Sequence, residues 1–176
     1  MERGYNVTAV IPAIFASLDA QIARLVAAGA RHFLLPNVSP LHRTPRVRRF
    51  LSVFQSVYEA QVLSWNAEFA AHVAALPATF PSASFTHVDF FGLALPIYDA
   101  YEAQGFKSDS YCEGYTRTED HPAAWDEDAC VWPLAEFLFR DDYHLSSRTH
   151  QLLATAAVDV SSPPLSSASS TGPRMR

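Results

Sequence analysis

The chain has 176 residues, of which 49% are apolar and 18% charged; this composition is typical of one globular domain and excludes a disordered or fibrous protein. Its formal net charge of −5 argues against a general nucleic-acid binder. The sequence has no unbroken apolar run of about eighteen residues, and its start, Met1 to Asn6, lacks the basic and apolar pattern of a signal peptide. We therefore expect neither a membrane span nor a secretion signal in these residues.

The beginning of the chain predicts a helix followed by a strand. Apolar residues at helical spacing predict a helix over residues 11–28, with Pro12 in its first turn and Gly29 as its C-terminal stop. The short apolar run over residues 31–36 predicts a buried strand, and the proline-rich stretch after it predicts a loop. Because loops at this edge of a parallel sheet tend to line a ligand crevice, Asn37 is a candidate substrate-loop residue.

A second helix and strand follow. Residues 47–76 predict a long helix ended by Pro77, residues 84–91 a strand, and residues 94–103 a short helix. This alternation predicts an α/β fold with a parallel sheet. A basic cluster before the long helix is interpreted as a solvated helix start, without an anion site; it comprises Arg43, Arg46, Arg48 and Arg49.

Residues 104–133 are irregular and contain both cysteines. Cys112 and Cys130 are too few and too far apart for a zinc ribbon. A disulfide that closes a loop for about 3 kcal/mol and a pair of free buried thiols are both open interpretations. Trp125 and Trp132 are candidates for stacking on a sugar or an acyl group, and local packing is the alternative.

The strongest candidate for chemistry lies near the C-terminus. Asp141 precedes His144 by three residues, so a carboxylate at the start of a turn can reach the imidazole Nδ1 and leave Nε2 free as a base. Residues 149–158 predict a final helix, and the Ser- and Pro-rich residues 161–176 predict a disordered tail.

A metal site is the weakest alternative for the histidines. His121, His144 and His150 lack the i, i+4 spacing of a helical zinc pair. We therefore predict no metal site.

Three segments also follow one another in an order that is typical of a known family. Gly29 to Leu41 reads G-A-R-x-F-hydrophobic-hydrophobic-x-N-x-x-P-L, Asn66 is followed by the strand through Asp89, and an Asp141-x-x-His144 block precedes a helix. This pattern resembles the SGNH, or GDSL-type, esterases and lipases. It is most similar to the fungal secreted branch that includes family 16 carbohydrate esterases, which act as acetylesterases.

The resemblance covers about residues 25–158 and implies both a fold and an activity. It implies a three-layer, flavodoxin-like α/β/α sheet that lacks its first strand, over residues 1–160. It also implies a secreted ester hydrolase, without a cofactor, that acts on short-chain or carbohydrate O-acyl esters. In this family pattern His144 is the base that activates a serine, and Asp141 is the carboxylate that orients the imidazole.

The sequence departs from the family pattern at the front. The Gly-Asp-Ser-Leu block that carries the nucleophile does not occur in these 176 residues. Gly4 and Asn6 match only the Gly-x-Asn part of the oxyanion block. We therefore expect an N-terminally incomplete chain that carries the His-Asp half of a triad and is inactive alone. The alternative is a carbohydrate-binding protein or pseudoenzyme that uses Trp125, Trp132 and the Tyr-rich loop around Tyr111 and Tyr115 to hold carbohydrate.

Overall fold

The computed structural model describes residues 7–116 and 129–161, which form five α-helices and two strands. In chain order these are α1 (Val7–Ala27), β1 (His32–Pro36), α2 (Pro45–Phe50), α3 (Gln55–Thr79), β2 (Ser84–Val88), α4 (Phe90–Asp99) and α5 (Ser147–Ser161). Short 3-10 helices over Leu41–Arg43, Ser52–Phe54, Glu113–Tyr115 and Leu134–Glu136 lie between them.

The two strands pair in parallel, with His32 opposite Ser84 and Pro36 opposite Val88. A parallel pair needs a long crossover connection, and α3 lies in that connection and contacts β2. The predicted α/β fold with a parallel sheet is therefore confirmed. Within the described residues the sheet consists of these two strands.

The two faces of the sheet pack differently. One face is covered by α1 and α3, where four apolar side chains are buried and the strand side chains Phe33, Leu35 and Phe85 pack against them; the buried four are Ile22, Phe69, Val73 and Leu76. On the other face Leu34 remains 64% exposed. There an apolar groove of about 350 Å³ is lined by Leu34, Pro36, Val88, Phe90, Ala154, Ala157 and Val158.

Helix α1 corrects the expectation that no segment is long and apolar enough for a membrane. Residues Ala9–Ala27 have a mean hydropathy of 1.5 over 19 residues and pass that test by length and composition. Core helices and signal sequences pass the same test, so the property alone does not assign a membrane location. Gly29 follows α1 with φ of +104°, a conformation that glycine adopts without strain, and this position fits the predicted helix stop.

The boundaries around the prolines and the long helix differ from the prediction. Helix α1 begins before residue 11, so Pro12 lies inside it, and α3 continues past Pro77 to Thr79. The single helix predicted over residues 47–76 is wrong, because Leu51 leaves helical geometry at φ −127° and ψ 24°. Helical periodicity continues across this break, so the spacing of apolar residues did not reveal it.

The strand predicted over residues 84–91 ends instead at Val88, and α4 starts four residues earlier than predicted. Asp89 occupies the N-cap position, where its Oδ1 accepts the N–H of Gly92 at 3.0 Å. The N–H of Phe91 donates to Asn37 Oδ1 at 3.0 Å. Because these side chains satisfy N–H groups that the first helical turn leaves unpaired, the helix begins at Phe90.

A second core fixes the C-terminal part of the chain. It joins α4, α5 and the segment just before residue 140. Its buried residues are Ala94, Ile97, Tyr98, Phe106, Leu138, Phe139 and Leu153. Helix α5 spans Ser147–Ser161, longer at both ends than predicted. The tail predicted over residues 161–176 lies, apart from Ser161, outside the described residues.

Candidate active site

The Asp141 turn comprises residues 140–144 and is closed at its base by backbone contacts. The N–H of Arg140 donates to the carbonyl of His144 at 2.8 Å, and Phe139 forms an antiparallel bridge with Leu145. Behind the turn, the Thr149 hydroxyl donates to the carbonyl of Leu138 at 2.7 Å, and Thr149 is fully buried. The ends of the turn are thus anchored in the second core.

Within the turn, the Asp141 carboxylate accepts hydrogen bonds from two backbone groups and one ring. Its Oδ1 accepts the N–H of Tyr143 at 2.9 Å and that of His144 at 2.7 Å. His144 Nδ1 lies 2.8 Å from Oδ2 and 3.0 Å from Oδ1. The spacing of three residues therefore brings carboxylate and imidazole together as the sequence predicts, because the turn folds back on Asp141.

These contacts shift the ionisation of the carboxyl. Burial acts to raise the pKa of Asp141, but hydrogen bonds from the N–H groups of His144 and Tyr143 and from the His144 ring together lower it below its ordinary value of 3.8. Asp141 is consequently ionised at neutral pH. An ionised carboxylate only accepts hydrogen bonds, so the proton in the Asp141–His144 contact resides on Nδ1.

The imidazole of His144 projects into solvent from this turn. Its side chain is 77% exposed, whereas that of Asp141 is 25% exposed. Among the described residues no partner contacts Nε2. A neutral ring with its proton on Nδ1 carries its free electron pair on Nε2, which is the arrangement that a general base requires.

A polar cavity of about 250 Å³ lies beside the turn. It is lined by Tyr111, Glu113, Thr116, Asp141 and Asp142. Its wall thus combines hydroxyl groups with carboxylates. Such a lining can hydrogen-bond to a hydroxylated ligand.

Asn37 is buried, and its hydrogen bonds connect the end of β1 to the residues that follow β2. Its Nδ2 donates to Asp89 Oδ1 at 2.7 Å while its Oδ1 accepts from α4. Asn66 on α3 holds the next residue, because its amide makes two hydrogen bonds with the backbone of Val38, at 2.9 and 3.0 Å. These contacts give Asn37 and Asn66 a structural role at this edge. The substrate contact predicted for Asn37 stays a prediction.

The two cysteines and Trp132 lie in the irregular segment before Asp141. The structure joins Cys112 and Cys130 in a disulfide, with 5.9 Å between their Cα atoms. The Trp132 ring packs 5.8 Å from the ring of Phe137 and remains 38% exposed. Its carbonyl accepts the hydroxyl of the buried Tyr115 at 3.0 Å. Trp132 is therefore partly packed and partly available to a ligand.

Four predicted residues lie outside the described part of the chain: Gly4, Asn6, His121 and Trp125. The predicted roles of these residues stay predictions. Within residues 7–116 and 129–161, no group of three His, Cys, Asp or Glu side chains is arranged to hold a metal ion.

The arginine cluster is more than a solvated helix start. Each member pairs with an acidic residue from the second half of the chain: Arg43 with Asp99, Arg46 with Asp142, Arg48 with Asp109 and Arg49 with Glu113. Periodicity and composition could not identify these partners, since they lie 56 to 96 positions away. Arg46 reaches the Asp141 turn itself, which sequence reasoning missed.

Comparison with known proteins places this chain within a family. The model of the GDSL-like lipase/acylhydrolase family matches residues 3–157, a range that includes Asn37, Asp89, Asp141 and His144. A search of curated proteins finds no match. The predicted family is therefore confirmed, whereas the closer relation to fungal carbohydrate esterases stays a prediction.

Proposed function

Because this chain belongs to the GDSL-like lipase/acylhydrolase family, we propose that its Asp141–His144 pair is the base-and-carboxylate part of an ester-hydrolysing site. The observation that carries the proposal is the geometry of His144, whose Nδ1 contacts an ionised carboxylate while the ring is 77% exposed. In this assignment His144 acts as the general base and Asp141 orients it.

The proposed reaction proceeds through an acyl-enzyme. His144 Nε2 takes the proton of a serine hydroxyl as the serine oxygen attacks the ester carbonyl carbon, and then passes that proton to the departing alcohol oxygen. Water then attacks the acyl-enzyme with His144 again as base, releasing the carboxylic acid and restoring the serine. Asp141 stabilises the imidazolium at both stages. The Gly-Asp-Ser-Leu block that would supply the serine is not found in these 176 residues.

We propose a hydroxylated ester, such as an O-acylated carbohydrate, as the substrate class. The support is the polar cavity lined by Tyr111, Glu113, Thr116, Asp141 and Asp142. Its carboxylates can accept hydrogen bonds from sugar hydroxyls, and its hydroxyl groups can donate to or accept from them.

We also propose that the protein works in an oxidising, extracytoplasmic compartment. The support is the disulfide between Cys112 and Cys130. Such bonds persist in secreted proteins and are rare where glutathione keeps thiols reduced.

The test is hydrolysis of p-nitrophenyl acetate by two forms of the protein. One form is these 176 residues alone, and the other carries an added upstream segment with a Gly-Asp-Ser-Leu block. We expect turnover only in the extended form, and a loss of about 10⁶-fold in kcat with His144→Ala. His150→Ala removes an exposed histidine of α5 and should leave kcat unchanged. Turnover that survives His144→Ala would contradict the assignment.

A carbohydrate-binding protein without catalysis is the second candidate, favoured by the partly exposed ring of Trp132. Aromatic rings are common sugar-stacking surfaces because their faces are apolar and flat. Titration of oligosaccharides against tryptophan fluorescence tests this function. A saturable change that Trp132→Ala abolishes, together with no turnover in either form, would favour binding over hydrolysis.

A further inference from the structure

Arg46 on α2 contacts the tip of the Asp141 turn twice. Its backbone N–H donates to the carbonyl of Asp142 at 2.9 Å, and its Nη1 lies 3.1 Å from Asp142 Oδ2. The guanidinium also lies 5.8 Å from the centroid of the Tyr143 ring. One residue thus holds both of the positions between Asp141 and His144.

The other anchors of the turn act at its base. The contact from Arg140 to His144 and the bridge from Phe139 to Leu145 close the two ends. Among the described residues, Arg46 is the only one outside the turn that makes a hydrogen bond or ion pair with Asp142 or Tyr143. The remaining restraints on the backbone that carries the Tyr143 and His144 N–H groups are the closed ends of the turn and the bonds to Asp141 Oδ1 inside it.

The Arg46–Asp142 ion pair is too exposed to contribute much to the free energy of unfolding. Its side chains are 46% and 27% exposed, and solvent screens pairs of this kind so that their net contribution is small. A geometric role remains. The backbone bond fixes the position of Asp142, and the side-chain bond restrains its carboxylate, so the next two N–H groups point at Asp141 Oδ1.

We infer that Arg46 is a positioning residue for the Asp141–His144 pair. It holds the tip of the turn so that the His144 ring keeps Nδ1 on Asp141 and presents Nε2 outward. The inference rests on the proposed function, in which Nε2 is the base. Because Arg46 acts through Asp142 and Tyr143, it needs no contact with substrate.

Arg49 on the same helix provides a matched control. Its Nη1 lies 3.4 Å from Glu113 Oε1, and both side chains are largely exposed. It makes no hydrogen bond or ion pair with the turn among the described residues. Arg49→Ala therefore removes the same charge from the same helix without releasing Asp142.

The experiment reads the turn by NMR in the unmodified chain and in Arg46→Ala, Arg46→Lys and Arg49→Ala. In the unmodified chain and in Arg49→Ala we expect the neutral His144 ring to carry its proton on Nδ1. In Arg46→Ala we expect a mixture of tautomers and amide exchange at Tyr143 and His144 faster by roughly fivefold or more. Both Arg46 variants keep the backbone N–H that donates to Asp142, so they test the side-chain contacts with Asp142 and Tyr143. Arg46→Lys, which also keeps the charge, should lie between.

A second variant covers the case in which Arg46→Ala does not fold. Asp142→Asn keeps the backbone bond between residues 46 and 142 and removes the charge that the Arg46 side chain contacts. It should therefore shift the tautomer mixture in the same direction as Arg46→Ala, but by a smaller amount. A native tautomer and native exchange in Arg46→Ala, or in Asp142→Asn where the first does not fold, would overturn the inference. That result would leave the ester-hydrolase proposal standing. Turnover that survives His144→Ala would instead overturn the ester-hydrolase proposal, and the tautomer measured in the chains that keep His144 would be unaffected by that outcome.

Discussion

The Asp89 turn, which comprises residues 89–92, and the Asp141 turn share one type of hydrogen bond but differ in exposure. In each, the Asp Oδ1 accepts a backbone N–H three residues ahead, at 3.0 Å for Gly92 and 2.7 Å for His144. Each carboxylate also contacts one polar side chain. For Asp89 that side chain is Asn37, which is 8% exposed. For Asp141 it is His144, which is 77% exposed.

The difference separates a carboxylate that bonds to a buried side chain from one that holds an exposed imidazole. At the Asp89 turn both polar atoms of the Asn37 amide are occupied, and the contacts tie β1 to α4. At the Asp141 turn the carboxylate is the more shielded partner, and the ring it holds projects one nitrogen outward. The first turn stabilises an edge of the fold, whereas the second presents an imidazole nitrogen to the solvent.

The same substitution at both turns gives the sharpest contrast and the largest expected effect. Asp141→Asn should lower kcat by about 10⁴-fold in the form that hydrolyses esters, because an amide can donate to Nδ1 and favour the wrong tautomer. Asp89→Asn should leave kcat within about twofold, because Asn caps helices as well as Asp does. Steady-state kinetics with p-nitrophenyl acetate measure both. Equal losses in the two variants would remove the distinction.

Asn37→Ala tests the structural turn by itself. We expect a decrease of about 2 kcal/mol in the free energy of unfolding, because the Phe91 N–H loses its acceptor and the buried site loses a paired amide. Urea unfolding followed by circular dichroism provides the measurement. Since an exposed side chain has little effect, Gln151→Ala on the exposed side of α5 serves as the control. A change no larger than that of the control would contradict the structural role.

The smallest expected effect is the loss of stability at acidic pH that follows protonation of Asp141. The pKa of Asp141 is lowered in the folded chain, so ionised Asp141 contributes stability above its ordinary value of 3.8, and this contribution is lost as the pH falls through the folded pKa. Carboxyl NMR should show a midpoint below 3.8 in the native chain. In His144→Ala the midpoint should rise, since the ring hydrogen bond and charge both lower it. A native midpoint at or above 3.8 would show that burial outweighs the hydrogen bonds.

Local patterns predicted most of the elements and the pairing at the candidate active site. The apolar spacing around Ile22 and the short run before Asn37 indicated α1 and β1, and the interval between Asp141 and His144 indicated their contact. These features depend on residues close in the chain, where helix, strand and turn geometry sets the distance. The break at Leu51 was not predicted, because its residues continue a helical pattern.

Local patterns did not predict contacts between residues that are far apart in the sequence. Nothing in the sequence around Arg46 identifies Asp142 as its partner 96 positions later, and the identity of the residue that meets Asp89 was equally hidden. These pairs form only when β1, β2 and α4 bring distant segments together. The sequence shows the charge and hydrogen-bonding capacity of each side chain, but the fold decides which residue it contacts.

For this protein, the sequence by itself determined the α/β class, most of the helical and strand segments near their observed places, and the spacing that brings Asp141 and His144 together. The tertiary structure alone decided where α4 begins, which acid each arginine meets, and that His144 is exposed while Asp141 is shielded. The physical reason is that propensity and periodicity act over one or two turns of chain. Burial and pairing depend on surfaces that exist only after folding.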